Sequence, residues 1–237
     1  MKKIFSFIVL LSLAFAAILP VNVSAAVSQP DFKRLACGNG TFVSIDNNKI
    51  IFSKDCINWD SADLDSNAYT FKNVIWGNNE FMILAENPKL TTSTTILRSK
   101  DGFKWDTVKD EDTKKYISSI IWAGNKYIAV GYKVLLTSDN GTEWTKQDIG
   151  DATFLNDAIY DGKQYVAVGG YCGSGRILKS TDGVTWTKWY ELMKNCGDDS
   201  FNKIFYTGEY YLIETNMNKI FYSKDLVSGQ IINVSPS

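Results

Sequence analysis

Five turns that pair a serine with an aspartate or asparagine recur along the chain: SKDCINW (53–59), SKDGFKW (99–105), SDNGTEW (138–144), STDGVTW (180–186) and SKDLVSG (223–229). Aspartate beside tryptophan is a pairing that could belong to an active site, or to a turn that only holds the chain together. Departures among the copies decide between the two. Asn140 replaces aspartate in the third copy, and an amide makes the same turn bonds but cannot act as a general acid or base. The last copy has Leu226 for glycine and Gly229 for tryptophan, and the first has Cys56 for glycine. One copy per repeating unit, degenerate at the end, is the pattern of a structural element. The carboxylate accepts hydrogen bonds from backbone N–H groups just ahead of it in an Asx-turn. Glycine supplies a conformation that side chains resist, and the tryptophan folds back over the hairpin. The structural set is Ser53, Asp55, Trp59; Ser99, Asp101, Gly102, Trp105; Ser138, Asn140, Gly141, Trp144; Ser180, Asp182, Gly183, Trp186; and Ser223, Asp225.

The elements that carry these turns follow from a second aligned series: CGNGTF (37–42), WGNNEF (76–81), WAGNKY (122–127), YDGKQY (160–165) and YTGEYY (206–211). Its third column is Asn39, Asn78, Gly124, Gly162 and Gly208, the residue types that tolerate positive φ in a tight hairpin. An apolar strand precedes each hairpin and another follows it, apolar on both faces, as for strands buried between two sheets. A third strand leads into the motif turn and a polar-edged fourth follows the tryptophan. The motif serines step by 46, 39, 42 and 43 residues. Four short antiparallel strands at a period near 42 describe one blade of a β-propeller, so the fold expected is all-β with five blades. Blades are expected at about 32–66, 67–114, 115–152, 153–198 and 199–237.

The S-x-D-G-x-x-W turn resembles the Asp-box, or bacterial neuraminidase repeat, in a slightly shortened form, and the resemblance runs over nearly the whole chain after residue 26. Asp-box propellers include sialidases, sortilin-type receptors and photosystem II assembly factors, so the resemblance implies a sialidase-like fold without choosing a function. Sialidases use three arginines on the substrate carboxylate. This chain has Arg34, Arg98 and Arg176, but Phe32-Lys-Arg-Leu lacks the family's Arg-Ile-Pro signature, and Arg98 and Arg176 belong to third strands. No catalytic residue carries over, and the expectation leans away from an enzyme. A glycosidase, which needs two suitably spaced carboxylates, is the alternative, as is a structural subunit of a larger propeller.

Met1-Lys2-Lys3, an apolar run over Ile4–Leu19 and the exit Val23-Ser24-Ala25-Ala26 predict a signal peptide over 1–25 and a secreted protein. No second apolar span follows, so no membrane span is expected after cleavage. With 25 basic and 26 acidic residues, no basic footprint points to nucleic acid. Histidine is absent, which excludes imidazole catalysis and ligation. No metal or cofactor is expected; Lys109–Asp112 and Asp198-Asp199 are acidic runs more typical of solvated surface than of calcium sites. The four cysteines allow three pairings. Topology favours Cys37–Cys56, both at fixed turns of the first blade, and Cys172–Cys196, both in variable loops of the fourth.

Loop lengths indicate the functional side. From turn aromatic to motif serine the spacings are 11, 18, 11, 15 and 12, and from motif tryptophan to the next strand 12, 12, 11 and 15. The two fixed turns of each blade share one face of the disc, so the variable connections lie on the other, the usual binding side. Aromatic residues there are Tyr132, Tyr171, Trp189 and Tyr190, suited to stacking on sugar rings or anchoring a protein partner. The function expected is a secreted binding or assembly module for a carbohydrate or an extracellular protein.

Overall fold

The computed structural model describes residues 34–46, 48–64, 68–87, 93–108, 113, 115–150, 154–171, 174–193 and 200–233. The chain divides into two units, Met1–Pro30 and Asp31–Ser237. The expected signal segment belongs to the first and lies outside the described residues.

The second unit is built from five sheets, each of four antiparallel strands in sequential order. Blade one holds β1 (Leu35–Gly38), β2 (Thr41–Asp46), β3 (Lys49–Ser53) and β4 (Asp60–Ser61). Blade two holds β5 (Thr70–Gly77), β6 (Glu80–Glu86), β7 (Thr94–Ser99) and β8 (Asp106–Thr107). Blade three holds β9 (Ile117–Trp122), β10 (Tyr127–Gly131), β11 (Val134–Ser138) and β12 (Thr145–Lys146). Blade four holds β13 (Leu155–Tyr160), β14 (Tyr165–Tyr171), β15 (Ser174–Ser180) and β16 (Thr187–Met193), and blade five β17 (Phe201–Tyr206), β18 (Tyr211–Thr215), β19 (Lys219–Ser223) and β20 (Gln230–Asn233). This is the five-bladed all-β propeller expected. The fourth strands of the first three blades are shorter than their sequence implies, with only two residues each. Their side chains are exposed, and the next residue of each, Ala62, Val108 and Gln147, still donates its N–H to the third strand, at Ile50 O, Ile96 O and Leu135 O.

The hairpin between first and second strands turns through left-handed residues in every blade: Asn39 (φ 50°), Asn78 (49°), Gly124 (87°), Gly162 (96°) and Gly208 (96°). The second strands of blades two to four are apolar on both faces because they lie between neighbours. Tyr127 and Ala129 pack with Met82 and Leu84 of blade two, while Ile128 and Val130 pack with Leu155, Ala158 and Ala167 of blade four. Equivalent cores join blades one and two, through Val43, Ile45, Phe81 and Ile83, and blades four and five, through Val166, Val168, Tyr211 and Ile213. Polar ties reinforce these seams. The Tyr127 hydroxyl donates to Gly77 O (2.6 Å), and the Tyr165 hydroxyl to Asn125 Oδ1 (3.0 Å). Asp157 Oδ1 accepts from Ser119 Oγ (2.8 Å) and its Oδ2 from the Ile204 N–H (3.2 Å), linking blades three, four and five. Burial raises the Asp157 carboxyl above its ordinary value despite these bonds.

Candidate functional site

The recurrent turns are structural in their geometry. In the second copy the Phe103 and Lys104 N–H groups donate to Asp101 Oδ1, both at 2.9 Å, and the Gly102 N–H to Ser99 Oγ at 2.8 Å. Asn140 Oδ1 accepts the same pair of bonds at 2.9 Å, from Thr142 and Glu143. Carboxylates engaged this way are held in their charged form. Backbone N–H donors lower Asp55, Asp101 and Asp182, and bring Asp225 down to about 2. The tryptophan Nε1–H closes each of the first four turns onto the residue at the glycine position, as Trp105 does on Gly102 O (3.0 Å). Cys56 and Leu226 take the glycine position at φ 62° and 64°, beside Gly102, Gly141 and Gly183 at 74–79°. In blade five, where Gly229 stands for the tryptophan, the Leu226 side chain joins the core between blades four and five.

The opposite face carries the aromatic cluster. Tyr132 ends the β10–β11 hairpin, Tyr171 closes β14, and Phe154 lies in the connection entering β13. Phe154 stands between the two tyrosines, its ring 4.6 Å from Tyr132 and 5.0 Å from Tyr171 by centroids, the latter pair stacked at 20°. Tyr132 is 42% exposed and Tyr171 64%. The backbone sets this ledge: Tyr132 and Phe154 form an antiparallel bridge across blades three and four, and the Gly170 N–H donates to Phe154 O (2.9 Å). The approach needs glycine next door, since a Cβ on Gly169 would lie 2.1 Å from Phe154 O. Lys133 Nζ reaches 5.3 Å from the centre of the Tyr132 ring. Three neighbouring rings, Tyr132 tilted 41° from Phe154, offer an apolar strip with a cation at one end, suited to stacking and desolvating a ligand.

The structure brings together Tyr132 and Tyr171 and separates the other two candidates from them. Trp189, on β16, is 49% exposed and stacks under Lys179 Nζ at 4.0 Å. Tyr190 is half-buried against the core between blades four and five, its ring 5.6 Å from Phe221. Lys188 pairs with Leu178 and Tyr190 with Ile177, so Trp189 is the extra residue of a β-bulge; it lies against Lys179 while Tyr190 enters the core. Phe154 is the residue that the sequence reading missed. It had a signal, an aromatic in a variable connection, but it precedes a strand and resembled a buried strand start.

The arginines do not form a cluster. Arg98 Nη2 pairs with the buried Glu80 at 2.5 Å, Arg176 Nε with Glu191 at 2.8 Å, and Arg34 Nη1 donates to Phe71 O at 2.8 Å. A crevice of about 710 Å³ beside the second motif turn, lined by Arg98, Lys100, Asp101, Lys104 and Asp106, mixes both signs of charge. Among the described residues, no group of acidic and cysteine side chains is placed to hold a metal. The acidic runs at 109–112 and 198–199 lie outside the described residues, as do Cys172 and Cys196.

One expectation needs correction: Cys37 and Cys56 are free thiols in this structure. They are near enough for Cys37 to act electrostatically on the Cys56 thiol, which burial, chiefly, and the Asp55 charge push up. The turn keeps its shape through its Ser53 and Asp55 bonds, so its geometry does not need a bridge.

No family model matches the chain, and no curated protein matches it by sequence. Solved structures do match in fold. YCF48 bound to D1 peptide superposes with a TM-score of 0.57 at 16% identity, covering 81% of this chain and 63% of that one. Virginiamycin B lyase from Staphylococcus aureus gives 0.65 at 14% identity, over 86% of this chain and 70% of that one. The Cps50 (Swd1) β-propeller domain of Myceliophteria thermophila gives 0.57 at 11% identity, over 84% and 70%. This chain thus spans less than two thirds of the YCF48 structure, and identities this low establish a shared β-propeller fold alone.

Proposed function

We propose that this protein is a secreted, non-catalytic binding module that takes an extended polypeptide across the Tyr132–Phe154–Tyr171 ledge. The carrying observation is the row of three rings, Tyr132 and Tyr171 exposed and Phe154 half-buried between them, contributed by separate connections and fixed by a backbone bridge between blades. A strip longer than one ring suits successive side chains of a peptide better than the face of one sugar, and a structure of the same fold is YCF48 bound to D1 peptide. Secretion rests on the basic start and apolar run of residues 1–25, and the Asp-box assignment on the serine–aspartate turns.

Peptide and glycan arrays probed with wild type, Tyr132→Ala and Tyr171→Ala test the reading. Peptide hits weakened by about 2 kcal/mol, roughly thirtyfold, in both variants support it. Hits confined to glycans, or peptide binding indifferent to both substitutions, count against it. Turnover of a fluorogenic glycoside panel by the purified protein removes the non-catalytic part.

A further inference from the structure

Each of the first four blades buries the face it turns to its successor. On second strands, Val43 and Ile45, Met82 and Leu84, Ile128 and Val130, and Val166 and Val168 are at most 3% exposed. On third strands the matching Ile50, Ile96, Leu135 and Ile177 are within the same limit. Blade five departs from this. Phe205 is 45% exposed and Ile232 46%. Leu212, Ile220 and Tyr222 are half-buried, and Glu214, in the column of Ile45, Leu84, Val130 and Val168, is exposed.

Cross-strand register sorts this face into two rows, Phe205–Leu212–Tyr222–Gln230 and Lys203–Glu214–Ile220–Ile232. Among the described residues, no core joins it to blade one, and β17 makes no approach to β1 comparable to its packing on β13. An apolar sheet face of this kind, set with two charges, marks an interaction surface.

We infer that this face of blade five is a homodimer interface, covered by the same face of a second copy. The argument for a second copy is charge complementarity. The rows carry one exposed cation, Lys203, and one exposed anion, Glu214, on adjacent strands in register. A two-fold axis running along the strands between β17 and β18 sets Lys203 over Glu214 of the partner subunit, and Phe205 over Leu212 of the partner subunit. An isologous pair meets this requirement by symmetry, whereas an unrelated partner would need an apolar sheet face with the charges in reverse order. Sheets pack face to face in this way at about 10 Å separation. The surface is distinct from the ledge, which belongs to blades three and four.

Sedimentation velocity of the mature protein, over low to high micromolar concentration, tests the inference. Wild type is expected as a dimer, and Phe205→Glu and Ile232→Glu as monomers with unchanged circular dichroism, since both side chains are already exposed. Lys203→Glu should weaken association roughly tenfold, and Lys203→Glu with Glu214→Lys should restore it. A wild-type monomer at the highest concentration overturns the inference. So does a dimer indifferent to both glutamate substitutions, or growth beyond two copies, which would mean head-to-tail packing.

Discussion

Replacing Tyr127 by phenylalanine isolates one polar tie between blades from the packing around it. The ring is fully buried between blades two and three, and its hydroxyl lies 2.6 Å from Gly77 O and 3.4 Å from Glu80 Oε1. Burial, with the Glu80 charge behind it, raises the phenol well above its ordinary value, so it remains a donor across the accessible pH range. Glu80 is itself buried, its side chain 3% exposed, and its other oxygen holds Arg98. Phenylalanine keeps the packing but takes the hydroxyl donor away from Gly77 O and Glu80. A buried acceptor deprived of its partner costs about 1–3 kcal/mol. Tyr165→Phe is the control: its hydroxyl meets Asn125 at 3.0 Å in a half-buried setting where water can substitute, so a loss of about 1 kcal/mol or less is expected. Urea denaturation followed by circular dichroism measures both. Thermal midpoints should fall by roughly 2–4 °C per kcal/mol for a domain of this size. Equal losses in the two variants, or none in Tyr127→Phe, would refute the claim that the buried hydroxyl ties the seam.

Two non-glycine residues in left-handed turns should respond oppositely to glycine. Cys56→Gly relieves strain of roughly 1 kcal/mol and is expected to be neutral or stabilising, whereas Leu226→Gly empties a core position and should cost about 2–5 kcal/mol; parallel melts check the sign. Stability should fall in acid, because Asp55, Asp101, Asp182 and Asp225 are all lowered in the fold. Their contribution is complete above the unfolded carboxyl value near 4 and fades as pH drops through the folded values, about 2 for Asp225. Asp157, raised by burial, works in the opposite direction and offsets part of the loss; melts of wild type and Asp182→Asn between neutral and strongly acidic pH should converge at the acid end. Peptide mapping of the purified protein should show Cys172 joined to Cys196 and leave Cys37 and Cys56 as thiols, as in the structure; a Cys37–Cys172 bridge would contradict the blade assignment.

The architecture was legible because it is periodic. A left-handed hairpin residue, a doubly apolar second strand and a serine–aspartate turn recur in phase, and each is a local consequence of backbone sterics or of burial between sheets. That Asp101 and Trp105 form a latch also followed from sequence, since Asn140 preserves the bonds but not the acid–base chemistry. Strand ends were less legible: the fourth strands of three blades pair through two exposed residues and one further backbone bond, and a polar edge strand carries no apolar alternation to mark where pairing ends.

The candidate site depended on the fold. Sequence placed Tyr132, Tyr171, Trp189 and Tyr190 in one set, but only the tertiary structure could divide them, because the bulge at Trp189 and the bridge between Tyr132 and Phe154 are relations across strands and blades. The exposed face of blade five has one trace in the sequence, Glu214 standing in an otherwise apolar column. By itself the sequence determined the repeat, its phase and the role of its turns, which depend on neighbours a few residues apart. Which rings meet, and which sheet face stays exposed, depends on how consecutive blades pack, so only the tertiary structure decided them.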